Sequence, residues 1–165
     1  MYLYHIVFEQ DDDRYVNPHI TLNKGLSKST AVRFYTNGGR LFPEITDLTR
    51  PLNAEQWIDF SVAFGADFNP ISEQYIKFPI VSEKILVFNR EITNDLFAYI
   101  EEEYMKGEIG EEGYFTKGLL SKEELMKQYW ESMITAKEYV KQKPYKNPEI
   151  LVFETIPIEL LEYIK

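Results

Sequence analysis

Two side chains stand where they could do chemistry. His5 lies in an opening run of apolar and aromatic residues, and Glu149 follows Pro148 at the start of Ile150-Leu151-Val152-Phe153. A carboxylate at the lip of a buried strand can stabilise positive charge that develops on a sugar ring, as glycosidases do. Each residue also has a plainer reading: a histidine satisfied within a core, and a glutamate facing water. The chain has two histidines, His5 and His19, and no cysteine. Disulfides and thiolate metal sites are therefore excluded, and a histidine metal site would need carboxylates to complete it. Asp11-Asp12-Asp13 lacks the alternating spacing and central glycine of a calcium loop, so no metal is expected. Phosphate-binding loops, Gly-x-Ser-x-Gly elbows and His-Glu-x-x-His helices do not occur.

The elements that must position these residues can be read from periodicity. Residues Tyr2 to Phe8 alternate as a strand, with Leu3, His5 and Val7 on one face. Glu83-Lys84-Ile85-Leu86-Val87-Phe88 is repeated as Glu149-Ile150-Leu151-Val152-Phe153, and the residues after each copy also align: Leu96 and Tyr99-Ile100 with Leu160 and Tyr163-Ile164. Four apolar residues ending in Phe suit a strand covered on both faces. The two copies are expected as neighbouring central strands, each entering a helix through Thr93 or Pro157. A glutamate before such a strand belongs to both copies, since Glu83 precedes the first.

Other segments are read more locally. His19 to Leu22 is expected as a short strand. Ser27 or Ser29 would cap a helix to Tyr35 that Asn37-Gly38-Gly39 stops, and Asn53 one that Gly65 ends. Ile76 to Ile80 reads as a strand, 94–105 as a helix, and Lys106 to Gly118 as an exposed loop. Ser121-Lys122-Glu123-Glu124 is a capping box, and Leu125, Met126, Tyr129, Trp130, Met133, Ala136 and Val140 continue at helical spacing to about Gln142. The expected fold is one α+β domain over 1–165, with a central mixed sheet covered by helices near 54–64, 94–105 and 122–141.

Composition bounds the function. Hydrophobic residues make up 44% and aromatics 15%, including 12 Tyr and 11 Phe, enough for a real core. A chain of this size buries roughly 70% of its unfolded surface. The formal charge of −9 argues against general affinity for nucleic acid or anionic membrane, which requires clustered Lys and Arg. No apolar run reaches the roughly 20 residues of a bilayer span, and the first residues carry no basic leader, so a cytoplasmic location is expected.

Tyr4-His5-Ile6 in the opening strand, Lys24-Gly25-Leu26 after it, and Pro148-Glu149-Ile150-Leu151-Val152 with Ile156-Pro157 near the end resemble the ADP-ribosyltransferase superfamily, especially its DarT-like branch. The resemblance covers about twenty residues. It implies NAD as substrate, with Glu149 as the catalytic carboxylate on the nicotinamide ribose. His5, with Tyr4 beside it, would hold the NAD ribose. Tyr35 would stack on the nicotinamide, with Ser82 as the competing residue for that middle position. The interval from His5 to Gly25 is long for this family, and it holds Asp11-Asp12-Asp13 where an amphipathic helix would stand.

A second reading uses the charge directly. A compact acidic domain rich in Tyr suits an immunity protein or phage inhibitor that binds a basic protein partner, because Tyr anchors interfaces and acidic patches steer towards basic surfaces. Glu101-Glu102-Glu103 and Glu111-Glu112 would carry such docking, unless they are simply a solvated face.

Overall fold

In a computed structural model, which describes residues 1–7, 17–32, 49–108, 110 and 112–165, the chain has an α+β fold of four helices and seven strands among the described residues. The strands are β1 (Tyr2–Ile6), β2 (Phe64–Ala66), β3 (Tyr75–Pro79), β4 (Ile85–Asn89), β5 (Ile134–Thr135), β6 (Pro148–Val152) and β7 (Glu162–Ile164). They form two sheets, β1-β3-β7 and β2-β6-β4-β5. Every pairing is antiparallel, which corrects the expected mixed sheet. A bridge joins the sheets: Tyr4 and Asp67 exchange backbone hydrogen bonds of 2.9 and 2.8 Å between β1 and the end of β2.

The repeat forms the centre. β4 and β6 pair directly, with Leu86 opposite Leu151 and Phe88 opposite Glu149. Each is buried on both faces, and alternate residues feed two cores. Ile85, Val87, Ile150 and Val152 face one core with Leu3, Leu26 and Phe78; Leu86, Phe88, Leu151 and Phe153 face another with Phe60, Leu96 and Tyr129. In the second, Phe60 meets Phe153 at 5.3 Å and Trp130 at 5.6 Å between ring centres, while Phe88 stacks on Tyr129 at 4.4 Å. Edge-to-face and offset contacts of this kind add about 1 kcal/mol each to area burial.

The helices are α1 (Pro18–Lys24), α2 (Arg90–Tyr104), α3 (Lys122–Glu131) and α4 (Ala136–Gln142). The expected strand at His19 to Leu22 is instead α1. Asn17 accepts from the His19 amide, and Pro18 sits in the first turn, where its missing N–H is no loss. Residues 27–30, expected to begin a helix, form a turn closed by Thr30 N–H to Ser27 O; residues 33–35, with Asn37-Gly38-Gly39, lie outside the described residues. The expected helix at 54–64 is a series of turns leading into β2, because Phe64, Gly65 and Ala66 pair with Val152, Leu151 and Ile150. Gly65 is thus a strand residue and not a helix stop.

The long helix expected over 122–141 breaks at Ser132. Its hydroxyl donates to Tyr129 O and accepts from Asn89 N–H, and Ile134 and Thr135 pair with β4 before Thr135 caps α4. The tail also departs from the repeat. After Pro157 the chain makes one 3₁₀ turn, Ile158–Leu160, and then β7, which pairs with β3.

Candidate functional site

Glu149 lies on β6 between Pro148 and the Ile-Leu-Val-Phe run, in register with Phe88. Strand alternation points it to the same side as Leu151 and Phe153, into the aromatic core under α2 and α3. It is only 6% exposed. Desolvation pushes its carboxyl up to about 7, against the opposing pull of the Arg90 charge and the Thr93 hydroxyl in the first turn of α2. Thr93 lies close enough to favour the charged form, yet neither Thr93 Oγ1 nor Glu149 Oε1 completes a hydrogen bond. Burial holds the Tyr129 phenol on α3 well above its usual range, and the Glu149 charge adds to this.

Beside this group the sheet ends in a hollow. Asp67 follows the Ala66–Ile150 pair on β2 and bridges to Tyr4, while Glu149, before Ile150 on β6, stands opposite Phe88 on β4. Arg90 sits at the start of α2. Its Nη2 is 3.9 Å from Asp67 Oδ1, its Nε donates to Pro148 O at 3.3 Å, and its backbone N–H donates to Asn147 O. Asp67 Oδ2 is buried with no donor, and burial raises this carboxyl against the pull of Arg90. The hollow, about 290 Å³, is lined by Asp67, Phe68, Asn69, Ile71, Arg90 and Asn147, with Pro148 at its edge.

His5 faces the other core. The Val32 N–H donates to its Nε2 at 2.9 Å, which places the proton on Nδ1, and Nδ1 donates to Gly65 O at 2.7 Å. Burial lowers its pKa to about 4, so the ring is neutral. Both nitrogens are therefore engaged by backbone, tying β1 to β2 and to the turn before Val32. A ribose contact through either nitrogen would break one of these bonds.

The remaining sequence candidates are dispersed. Tyr4 is half-buried, packs edge-on against Tyr75, and reaches the Glu149 region only through its backbone bridge to Asp67. Ser82 accepts from Lys84 N–H in the turn before β4, at the end of that strand opposite Glu149. Tyr35 and Asp11-Asp12-Asp13 lie outside the described residues. The two ends of the family resemblance do meet, since Leu26 and Ile156 exchange backbone hydrogen bonds of 2.9 and 2.8 Å. Asp67, Arg90, Thr93 and Tyr129 carried no site signal in the sequence. Asp67 read as a loop residue, and Thr93 and Tyr129 as parts of helices.

A second hollow, about 520 Å³, opens between α2 and the segment before α3, lined by Tyr99, Glu102, Glu103, Glu112, Tyr114 and Phe115 among others. Tyr104 and Tyr114 nearby are 88% and 62% exposed. Glu102 accepts from the Gly113 amide and the Thr116 hydroxyl, which pins this segment to α2. Among the described residues no group of three or more His, Asp and Glu could hold a metal, and no helix is long and apolar enough to cross a membrane. No protein-family model matches the chain, and neither a curated protein nor a solved structure does.

Proposed function

We propose that the chain cleaves the nicotinamide–ribose bond of NAD, as an ADP-ribosyltransferase or NAD glycohydrolase, with Glu149 as the carboxylate that stabilises the ribose cation. The observation that carries this reading is the Glu149 carboxyl: nine-tenths buried, with Oε1 lacking a donor, next in the chain to Pro148, which lines a hollow. Native chains rarely leave a buried carboxylate oxygen unpaired, and such groups concentrate at functional sites. Further support comes from connectivity. The strand of His5 and the strand of Glu149 flank the same short β2, and the Gly25-Leu26 and Ile156-Pro157 ends of the resemblance are bonded together.

As the glycosidic bond lengthens, positive charge spreads over the ribose ring. A carboxylate in a low-dielectric site is worth far more against that charge than one in water. In this reading His5 acts by position, holding β1, β2 and the turn before Val32 together without touching the substrate. Glu149→Gln keeps the shape and removes the charge. It is expected to lower nicotinamide release from NAD at pH 8 at least 100-fold while leaving the circular dichroism spectrum unchanged. Release at the wild-type rate would overturn the assignment.

The acidic surface favours a second reading, a non-enzymatic domain that binds a basic partner. Residues 101–124 hold eight glutamates against three lysines, and the tyrosine-lined hollow lies within this stretch.

A further inference from the structure

The hollow between α2 and the segment before α3 is built by bonds that tie its two walls together. The Tyr99 hydroxyl on α2 donates to Leu120 O at 2.7 Å, and Glu102, one turn on, accepts from the Gly113 amide and the Thr116 hydroxyl. The lining combines two kinds of group. Tyr99, Tyr114 and Phe115 supply ring surface, while Glu103 and Glu112 add carboxylates to that of Glu102. Lys106 and Lys122 also line it, yet residues 101–124 as a whole hold eight glutamates against three lysines, a formal charge of −5. Tyr114 meets Phe115 edge-on with ring centres 5.0 Å apart and is itself 62% exposed. A volume of about 520 Å³ falls within the range of ligand-binding clefts.

We propose that this hollow receives an arginine side chain from a basic segment of a protein partner, stacked on the ring of Tyr114 or Phe115 and paired with the carboxylates of Glu103 and Glu112. This rests on the second reading given above, in which the acidic surface binds a basic partner, and it names the chemistry that the surface selects. Aromatic faces attract cations through their ring quadrupole, and arginine makes such contacts more often than lysine. Its guanidinium is planar and weakly hydrated, so it can leave water for a ring face while its N–H groups bond a carboxylate. A lysine ammonium holds its water more tightly and gains less. The occupant is a segment of chain because the acidic face continues past the hollow. Glu101 and Glu108 are exposed beyond the lining, and Tyr104, between two lining residues, is 88% exposed. Several residues of a partner meet that surface where a lone arginine could not.

The test titrates the full chain into a short fluorescent peptide of alternating arginine and glycine, and into its lysine counterpart of equal length, and follows anisotropy. The wild type is expected to bind the arginine peptide saturably and the lysine peptide more weakly. Tyr114→Leu keeps apolar bulk without the ring, and it is expected to weaken the arginine peptide about tenfold. Glu103→Gln with Glu112→Gln is expected to do the same. Glu101→Gln with Glu108→Gln removes as much charge outside the hollow, and its effect is expected to stay within about twofold. If the arginine peptide binds but both double variants weaken it equally and Tyr114→Leu leaves it unchanged, the hollow is overturned as the site while the basic partner stands. If neither peptide binds the wild type, the reading of a basic partner falls with it. Equal affinity for the two peptides would overturn the choice of arginine, and arginine amide binding as tightly as the peptide would overturn a protein segment as the occupant. Should Tyr114→Leu melt below the assay temperature, Phe115→Leu is judged by the same criterion.

Discussion

Glu149 and His5 are both buried, burial disfavours the charged form of each, and they respond to pH in opposite directions. The Glu149 carboxyl titrates at about 7 in the folded protein against 4.5 for the ordinary group. The folded state therefore holds a proton that the unfolded chain releases between those values. Its contribution is full below pH 4.5 and is lost as pH rises through 7, about 3 kcal/mol in all. His5 titrates at about 4 against 6.5. The unfolded chain gains a proton there that the folded ring refuses, so this contribution is full above pH 6.5 and is lost as pH falls through 4. Between about 4.5 and 6.5 the two slopes oppose. Glu149→Gln removes one of them. Its urea unfolding free energy, relative to wild type, is expected to rise by about 3 kcal/mol between pH 4.5 and 8. A difference that stays constant with pH would show that burial does not raise the Glu149 carboxyl. At this scale the sequence marked Glu149 through its place before an apolar strand. It did not mark Arg90, Thr93, Asp67 or Tyr129, because only the folding of α2, α3 and β2 around β6 brings them together.

At the scale of elements, what was legible depended on whether the signal was local or tertiary. The two Ile-Leu-Val-Phe strands were legible because a run covered on both faces can only be central, and they pair with each other. Ser121 was legible as a cap because its partner is three residues away, and its hydroxyl accepts from Glu124 N–H at 3.1 Å. The helix expected at 54–64 failed because Phe64-Gly65-Ala66 gains a strand partner in β6, which outweighs a propensity read from neighbours. The break at Ser132 has the same origin, in the pairing of Ile134 and Thr135 with β4. Gly25 is a local feature with a tertiary reason. Its φ is +89°, and a Cβ there would lie 2.9 Å from Ile156 O, whose backbone pairs with Leu26. Gly25→Ala is expected to cost about 2–3 kcal/mol and to lower the thermal midpoint by roughly 5–10 °C. An unchanged midpoint would mean that the contact between Leu26 and Ile156 does not tie the two ends of the chain.

Across the whole molecule, two antiparallel sheets meet at the bridge between Tyr4 and Asp67, and the site candidates divide between two cores. Alternation on β1 and β6 sends His5 into one core and Glu149 into the other, a division that pattern alone could not reveal because the register between β1, β2 and β6 is set in three dimensions. The acidic face over α2 and α3 is a third region, separate from the His5 core and chemically suited to a basic partner. The enzymatic and binding readings therefore place function on different surfaces, and NAD distinguishes them. The most direct measurement is a thermal melt of the wild-type protein across increasing NAD. A ligand at 100 times its dissociation constant adds about 2.7 kcal/mol to stability, so a saturable rise of roughly 5–10 °C is expected. An unchanged midpoint up to millimolar NAD would contradict the assignment of Glu149 and leave the acidic hollow as the functional surface.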